Sequence, residues 1–214
     1  MPLLYRWNED GGLWGIWEVT ETPEELEGML CDKSLFASEL EPVRSQKRRL
    51  ELLGARVLLK TLSGGEKRVL HAPSGKPFLE GDRRRITISH TNGYVAVGIH
   101  GSASPGIDVE RFGEKVRKVM PRFVRDDEMP GRKLMDDREY LCQLLLHWSA
   151  KETMYKVLEQ KEVDFVQHLR VRPFRLASKG EIAGEEYRTG GREVFRLRYF
   201  IHPDFVCTFC VRPD

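Results

Sequence analysis

Two short acidic motifs with different spacings constrain this chain most. In the first, the carboxylates Asp108 and Glu110 are two residues apart, and alternate side chains of an extended strand point the same way. In the second, Glu152 and Lys156 are four residues apart, which places them on one face of a helix. A chain carrying both motifs needs strands as well as helices. Three carboxylates with a lysine also indicate a Mg²⁺ and phosphate site.

The charge balance limits the partners that the chain can bind. Of its 214 residues, 35 are basic and 33 are acidic, which gives a formal net charge of +2. Any anion binding must therefore come from local clusters, and the balance opposes a module that binds nucleic acid through a broadly basic face. The hydrophobic fraction of 40% is enough for one domain or two small ones.

The sequence shows no targeting signal, and this and its cysteine spacing predict a cytoplasmic protein. The N-terminus lacks the basic and apolar regions of a signal peptide, and no apolar run reaches the length of a membrane span. Four scattered cysteines are typical of reduced thiols. Cys207 and Cys210 form a C-x-x-C pair, but strand geometry sends them to opposite faces, which favours a structural role over zinc binding or redox chemistry.

Hydrophobic periodicity and turn residues predict an α+β (α/β) chain. We expect strands at residues 13–19, 85–90, 94–99, 195–200 and 206–211, and helices after a Thr22 cap and at residues 47–62, 115–123 and 137–159. The small, polar segment 101–105 is the predicted boundary between an N-terminal half, residues 1–102, and a C-terminal half, residues 103–214. Each half contains helices and ends in an antiparallel strand pair, which suggests a duplication.

Each acidic motif has an ordinary structural explanation when it is taken alone. Asp108 and Glu110 could cap a loop or meet Arg111. Glu152 and Lys156 have the spacing of a common surface ion pair, which is worth only a few tenths of a kcal/mol.

The candidates upstream are also weak singly. Ser89 and His90 end a predicted strand, where a side chain can project into a cleft. Lys76 lies in a loop between a glycine and a proline, and most loop lysines are only solvated. Arg48 lies on a predicted helix and could bind phosphate, with Arg49 as its competitor.

In combination, the motifs resemble those of the 4′-phosphopantetheinyl transferase superfamily, of the monomeric kind that activates surfactin-type peptide synthetases. Its central motifs are Gly-x-Asp-x-Glu and Trp-x-x-Lys-Glu-x-x-x-Lys, preceded by a Gly-Lys-Pro element, a Ser-His pair and an arginine-bearing helix. The resemblance spans about residues 45 to 160. The positions that match the family pattern are, in chain order, Arg48, Lys76, Ser89, His90, Gly106, Asp108, Glu110, Trp148, Lys151, Glu152 and Lys156.

The resemblance implies a Mg²⁺-dependent activity. Such enzymes move the phosphopantetheine arm of coenzyme A onto a serine of an apo acyl or peptidyl carrier protein and release adenosine 3′,5′-bisphosphate. By analogy, Asp108, Glu110 and Glu152 would hold Mg²⁺, and Lys156 would contact the pyrophosphate. Glu152 would be a metal ligand, the base that accepts the serine proton, or both.

Coenzyme A contacts and the fold are implied in the same way. Lys76, Ser89 and His90 would hold the adenosine 3′-phosphate end, with Arg48 as a further phosphate contact. Lys151 should face another side of its helix and is given a weaker role. The family fold implies two similar halves related by a pseudo-twofold axis, each a small antiparallel sheet packed with helices, in a monomer.

A second enzyme class uses the same carboxylates. A Mg²⁺-dependent phosphohydrolase or nuclease would account for Asp108, Glu110 and Glu152. It would not account for Trp148, or for the ordered elements upstream of the acidic motifs.

The surface that meets the carrier protein is the least determined part of the expectation. A basic and apolar stretch at residues 117–125 is a candidate, and an ordinary amphipathic helix explains it equally well. Its apolar and basic members are Met120, Phe123, Val124, Arg117, Lys118, Arg122 and Arg125. We interpret the separate run of arginines at residues 83–85 as a solvated surface.

Overall fold

The computed structural model describes residues 3–129 and 135–213, and these form a mixed α+β protein with two antiparallel sheets and several helices. The chain divides into two compact units. The first runs to Pro105 and also includes Pro213, and the second comprises Gly106–Arg212.

The N-terminal unit contains a six-stranded sheet with the order β1-β2-β6-β5-β4-β3, in which neighbouring strands are antiparallel. A 3₁₀ turn at Lys33–Leu35 separates its first two helices. The elements are, in chain order, β1 (Leu3–Glu9), β2 (Gly12–Glu18), α1 (Pro23–Gly28), α2 (Ala37–Leu40), α3 (Gln46–Ser63), β3 (Val69–His71), β4 (Pro77–Leu79), β5 (Arg85–Thr91) and β6 (Tyr94–His100).

Local sequence signals explain several of these boundaries. Thr22 caps α1 in a capping box with Glu25, as predicted. Gly64 ends α3 in the left-handed conformation, with φ at 79°. The sequence prediction missed β1, which forms a hairpin with β2 around Asp10 and Gly11. Both turn residues have positive φ, as a two-residue hairpin turn requires, so this Asp-Gly pair was a signal that was overlooked.

Alternation along β5 determines which face each side chain occupies. Ile86 and Ile88 pack in the same hydrophobic core as residues of α3 such as Leu53. His90 has the same parity and therefore lies on the α3 face. Ser89 has the opposite parity and lies on the other face of the sheet.

The C-terminal unit contains a five-stranded sheet with the order β7-β11-β10-β9-β8. The predicted helix at residues 115–123 is shorter than expected and continues as a 3₁₀ turn at Met120–Arg122. The elements are β7 (Ser104–Arg111, which begins just before the division between the units), α4 (Lys115–Val119), α5 (Asp137–Leu158), β8 (Leu169–Val171), β9 (Lys179–Glu186), β10 (Val194–Ile201) and β11 (Phe205–Arg212).

Close packing fixes α5 against the sheet. A Cβ atom added to Gly106 in β7 would lie 2.6 Å from Val157 Cγ1 and 2.9 Å from the carbonyl oxygen of Thr153, so only glycine fits there. On the neighbouring strand, Thr208 Oγ1 lies 2.9 Å from Ser149 Oγ and 2.7 Å from Thr153 Oγ1. The strand that carries the first acidic motif is thereby held against the helix that carries the second.

The structure also describes the state of the cysteines and the character of the helices. All four cysteines are free, and Cys142, Cys207 and Cys210 are buried. Within the part of the chain that is described, no helix combines the length and apolar character needed to cross a bilayer.

Candidate metal and phosphate site

The two acidic motifs meet through side-chain hydrogen bonds. Asp108 on β7 is 3% exposed, and its Oδ1 lies 2.8 Å from Lys156 Nζ on α5. The same ammonium donates to the carbonyl oxygen of Ile107 at 2.8 Å. About two helical turns earlier on α5, Trp148 Nε1 donates to Glu110 Oε1 at 2.7 Å. The salt bridge of Lys156 is therefore with Asp108, across the strand–helix contact.

Burial and mutual repulsion raise the proton affinity of these carboxyls. Burial first, and then the charge of Asp108, raise the pKa of Glu110 to about 8, while the Trp148 hydrogen bond opposes the shift. Burial and Asp108 raise the pKa of Glu152 to about 7, and the charge of Lys156 opposes that shift. Each carboxyl is thus close enough to its neighbours for their charges to matter.

The carboxylates are of a kind that can bind a divalent cation, but they are not arranged as the coordination shell of one. Within residues 3–129 and 135–213, no group of three His, Cys, Asp or Glu side chains is arranged so that it could hold a metal ion. Lys156 supplies the positive charge beside Asp108, and Trp148 holds Glu110. Metal binding by Asp108, Glu110 and Glu152 would therefore require their side chains to rearrange.

Two aromatic rings pack against the indole of Trp148, which donates to Glu110. The ring of Phe123 meets Trp148 edge-on at 5.2 Å, and the ring of Phe165 lies 5.6 Å away on a tilted plane. Phe123 is fully buried, so at this position the interpretation as an ordinary amphipathic segment is favoured over a carrier-binding patch. Phe123 instead belongs to the hydrophobic core, because the chain turns its ring inward after the 3₁₀ segment.

Lys151 is a buried lysine that binds backbone carbonyl groups from several segments of the C-terminal unit. Its Nζ donates to the carbonyl oxygens of Phe123 at 2.6 Å, Phe165 at 2.9 Å and Leu169 at 2.9 Å, and it forms an ion pair with Glu128 Oε1 at 2.7 Å. The lysine is 0% exposed. Burial lowers the pKa of Lys151, and the charge of Glu128 counteracts that shift.

Glu128 is the residue that sequence reasoning missed. Its Oε1 accepts from the backbone N–H of Val171 and its Oε2 from that of Arg125, each at 2.6 Å. No sequence spacing links Glu128 to Lys151, because the two lie in different segments and meet only in the folded chain. The one available signal was Lys151 itself, since a lysine on the buried face of a helix requires a partner.

The predicted phosphate-binding residues of the N-terminal unit include one clear cluster. Arg48 Nη1 contacts His90 Nε2, and His90 Nδ1 lies 3.4 Å from Glu51 Oε2. Glu51 also accepts from Arg48 at 3.2 Å. Arg49 instead pairs with Glu27 at 2.6 Å. The structure therefore places Arg48, not Arg49, beside His90.

Lys76 lies in a different cluster. Its Nζ donates to Ser104 Oγ at 3.1 Å, and Arg85 Nη1 donates to the same oxygen at 2.8 Å. Ser89 is buried on the sheet face opposite to His90. The predicted grouping of Lys76, Ser89 and His90 is thus divided between two faces of β5. The neighbouring Arg84 pairs with Asp82 at 2.7 Å, and Arg83 is exposed.

The rest of the predicted carrier surface is only partly available. Arg117 pairs with Glu114 and lies over the ring of Tyr140 at 5.2 Å. Lys118 and Arg122 are exposed, whereas Met120 and Val124 are half-buried. Met120, Val124 and Arg125 line an open groove of about 820 Å³.

No protein-family model matches the chain, and no curated protein matches it.

Lys151→Met should destabilise the protein by about 3–5 kcal/mol, because it leaves the buried carboxylate of Glu128 and three carbonyl oxygens without their donor. Urea unfolding measures the loss. Lys161→Met removes an exposed lysine and should change stability by about 0.5 kcal/mol or less. Equal effects of the two lysine variants would contradict the structural role of Lys151.

The stability of the metal-free protein should fall as pH rises from 4.5 to about 8. Glu110 and Glu152 keep protons in the folded state above their ordinary pKa of 4.5, so the unfolded state binds fewer protons in this window. Urea unfolding with a chelator, repeated across this range, measures the slope.

The slope should be smaller in Glu152→Gln and in Glu110→Gln, and unchanged in Glu24→Gln, which alters an exposed carboxylate. Millimolar Mg²⁺ should stabilise the wild-type protein most at the alkaline end, because the ion competes with protons for these carboxyls. A wild-type slope that Glu152→Gln and Glu110→Gln leave intact would assign the protons to other groups.

Proposed function

We propose that this chain is a 4′-phosphopantetheinyl transferase, which moves the phosphopantetheine arm of coenzyme A onto a serine of an apo acyl or peptidyl carrier protein. The observation that carries the proposal is the meeting of the two motifs, with Lys156 on Asp108 and Trp148 on Glu110. A residue pattern matched by chance would not be expected to bring its members into contact. The proposed setting is a monomer in the cytoplasm.

The architecture supports the proposal at a coarse level. Each unit contains an antiparallel sheet with one long helix, α3 in the first and α5 in the second. We propose that these are the two similar halves of the transferase fold, related by a pseudo-twofold axis. The shared plan is compatible with the duplication that the sequence suggests.

Asp108, Glu110 and Glu152 are the proposed Mg²⁺ ligands. Oxygen ligands of this kind suit a hard cation, and Mg²⁺ typically takes one or two carboxylates together with substrate phosphates. When bound, the ion supplies positive charge that stabilises the pyrophosphate. The raised pKa values of Glu110 and Glu152 fit a site that is built to be neutralised by a cation.

Lys156 has a separate role in this proposal. Its ammonium is half-buried and held between Asp108 and the Ile107 carbonyl, so it is oriented before the substrate binds. If Asp108 held the cation, Lys156 would be available to a phosphoryl oxygen as a point charge. Stabilisation of that oxygen matters because charge spreads over the phosphoryl group in the transition state.

Glu152 is the proposed proton acceptor as well as a ligand. In the reaction, the serine oxygen of the carrier forms a bond to the β-phosphorus of coenzyme A, and the bond from that phosphorus to the bridging oxygen breaks. Adenosine 3′,5′-bisphosphate leaves with the electron pair, and the serine proton passes to a base. A bound cation would keep Glu152 in its carboxylate form, which is the form that accepts a proton.

Arg48 and His90 are the proposed contacts of coenzyme A in the N-terminal unit, whereas Lys76 and Ser89, which the resemblance also implies, lie on the other face of β5. The contact between Arg48 and His90 supports one phosphate-binding pair. Glu51 accepts a hydrogen bond from Arg48 and lies 3.4 Å from His90 Nδ1, so it contacts both members of the pair.

The test is a transfer assay with coenzyme A, Mg²⁺ and a panel of apo carrier proteins, read as the gain of mass by the carrier. Asp108→Ala and Lys156→Ala should each lower turnover by about 100-fold or more, because the first removes a proposed Mg²⁺ ligand and the second removes a positive charge proposed to stabilise the phosphoryl oxygens. Lys161→Ala, on the exposed surface, is the matched control and should retain wild-type turnover. Thermal unfolding checks that each variant is folded.

Two results would reject the transferase. Near-wild-type turnover of Asp108→Ala would remove that carboxylate from the site. If no carrier gained mass while a phosphate ester was hydrolysed, the phosphohydrolase or nuclease reading would replace it.

A further inference from the structure

One carboxylate of the N-terminal unit lies among three side chains that carry positive charge or N–H donors. Glu51 Oε2 lies 3.2 Å from Arg48 Nη1 and 3.4 Å from His90 Nδ1. Glu51 Oε1 lies 3.9 Å from Lys47 Nζ. The Glu51 side chain is 12% exposed, whereas each of the other three is at least 38% exposed. The negative charge is therefore the most buried member of the group, and its partners are the members that an external anion can reach.

Local spacing accounts for only part of this group. Lys47 and Arg48 lie four and three residues before Glu51 on α3, and pairs at these spacings are common on helix surfaces and contribute little to stability. His90 comes from β5, on the sheet face that packs against α3. The convergence of donors from two elements on one carboxylate is more than a helix pattern predicts.

The hydrogen bonds of the group assign the tautomer of His90. A guanidinium only donates, so His90 Nε2 accepts from Arg48 Nη1, and an imidazole in this arrangement carries its proton on Nδ1. That proton faces Glu51 Oε2. Glu51 thus engages a donor of each member of the pair that the proposed function assigns to phosphate.

The charge of Glu51 opposes the binding of an external anion at the same place. Lys47 and Arg48 supply two formal positive charges, and Glu51 cancels one of them. Partial burial weakens the solvent screening between the Glu51 carboxylate and an anion that contacts Arg48. Removal of the negative charge should therefore raise the affinity for that anion by about tenfold.

We propose that Glu51 is an internal anion that competes with a ligand phosphate for the donors of Arg48 and His90, and that it thereby sets the affinity of this pair. The choice of ligand rests on the proposed function, in which the phosphate belongs to coenzyme A or to adenosine 3′,5′-bisphosphate. A product that binds too tightly leaves slowly, and release limits turnover in many enzymes. Glu51 acts through Arg48 and His90, so it is a positioning residue that favours product release.

Calorimetric titration with inorganic pyrophosphate and with adenosine 3′,5′-bisphosphate, in the presence of a chelator, tests the proposal without metal or carrier. Glu51→Gln should tighten the binding of both ligands by about tenfold, because it keeps the shape of the side chain and removes its charge. Glu27→Gln removes a carboxylate that accepts from Arg49 on the same helix, and should stay within about twofold of wild type. Adding Arg48→Gln to Glu51→Gln should abolish the gain.

A third variant separates charge from geometry. Glu51→Asp keeps the negative charge and shortens the side chain, so its affinity should stay within about threefold of wild type. Weaker binding in both Glu51→Gln and Glu51→Asp would mean that Glu51 orients the pair, and would overturn the proposal. Equal gains in Glu51→Gln and Glu27→Gln, or no binding by either the wild-type protein or Glu51→Gln, would also overturn it. If Glu51→Gln does not fold, Glu51→Ala removes the same charge and should show the same gain.

Transfer kinetics distinguish this proposal from the proposed function. Glu51→Gln should lower KM for coenzyme A by about tenfold without raising kcat, because the lost repulsion acts on the substrate and the transition state alike. Tighter pyrophosphate binding by Glu51→Gln in a protein without transfer activity would reject the proposed function and leave the role of Glu51 standing. Transfer activity in the wild-type protein, with no gain in affinity in Glu51→Gln, would do the reverse.

Discussion

The close approach of β7 to α5 is the constraint on which the candidate site depends. Gly106 lies against Val157 and the backbone of Thr153, where a larger residue would push the strand away from the helix. Because glycine lets the strand lie this close to the helix, Asp108 contacts Lys156 and Glu110 contacts Trp148. The glycine of the first motif thus has a structural function, since it sets the distance at which the two acidic motifs interact.

A buried ion pair supports the same site from behind. Lys151 binds the carbonyl oxygens of Phe123 and Phe165, and the rings of these residues enclose Trp148. The indole is therefore held in position to donate to Glu110. Of the two neighbouring residues Lys151 and Glu152, one is buried within the protein and the other belongs to the acidic site. Adjacent positions on a helix differ by about 100°, so a single segment can serve both purposes.

Local patterns predicted much of the fold, because caps, turns and periodicity act over a few residues. The Thr22 cap and the long helices α3 and α5 all follow from such signals. The contacts that define the site depend on tertiary structure instead. The i, i+4 spacing suggests that Lys156 pairs with Glu152, yet its salt bridge is with Asp108, and the partner of Lys151 lies in a separate loop. Whether Arg48 or Arg49 contacts His90 likewise depends on the position of β5 beside α3, which the sequence does not give.

The central claim is that Asp108, Glu110 and Glu152 form one divalent-cation site once their side chains rearrange. Titration of the protein with Mn²⁺, followed by the electron paramagnetic resonance signal of the free ion, tests it directly. We expect about one tight site per chain, weakened about tenfold or more in Asp108→Asn and in Glu152→Gln and unchanged in Glu24→Gln. The absence of a stoichiometric site, or equal affinity in Asp108→Asn and the wild-type protein, would contradict the account.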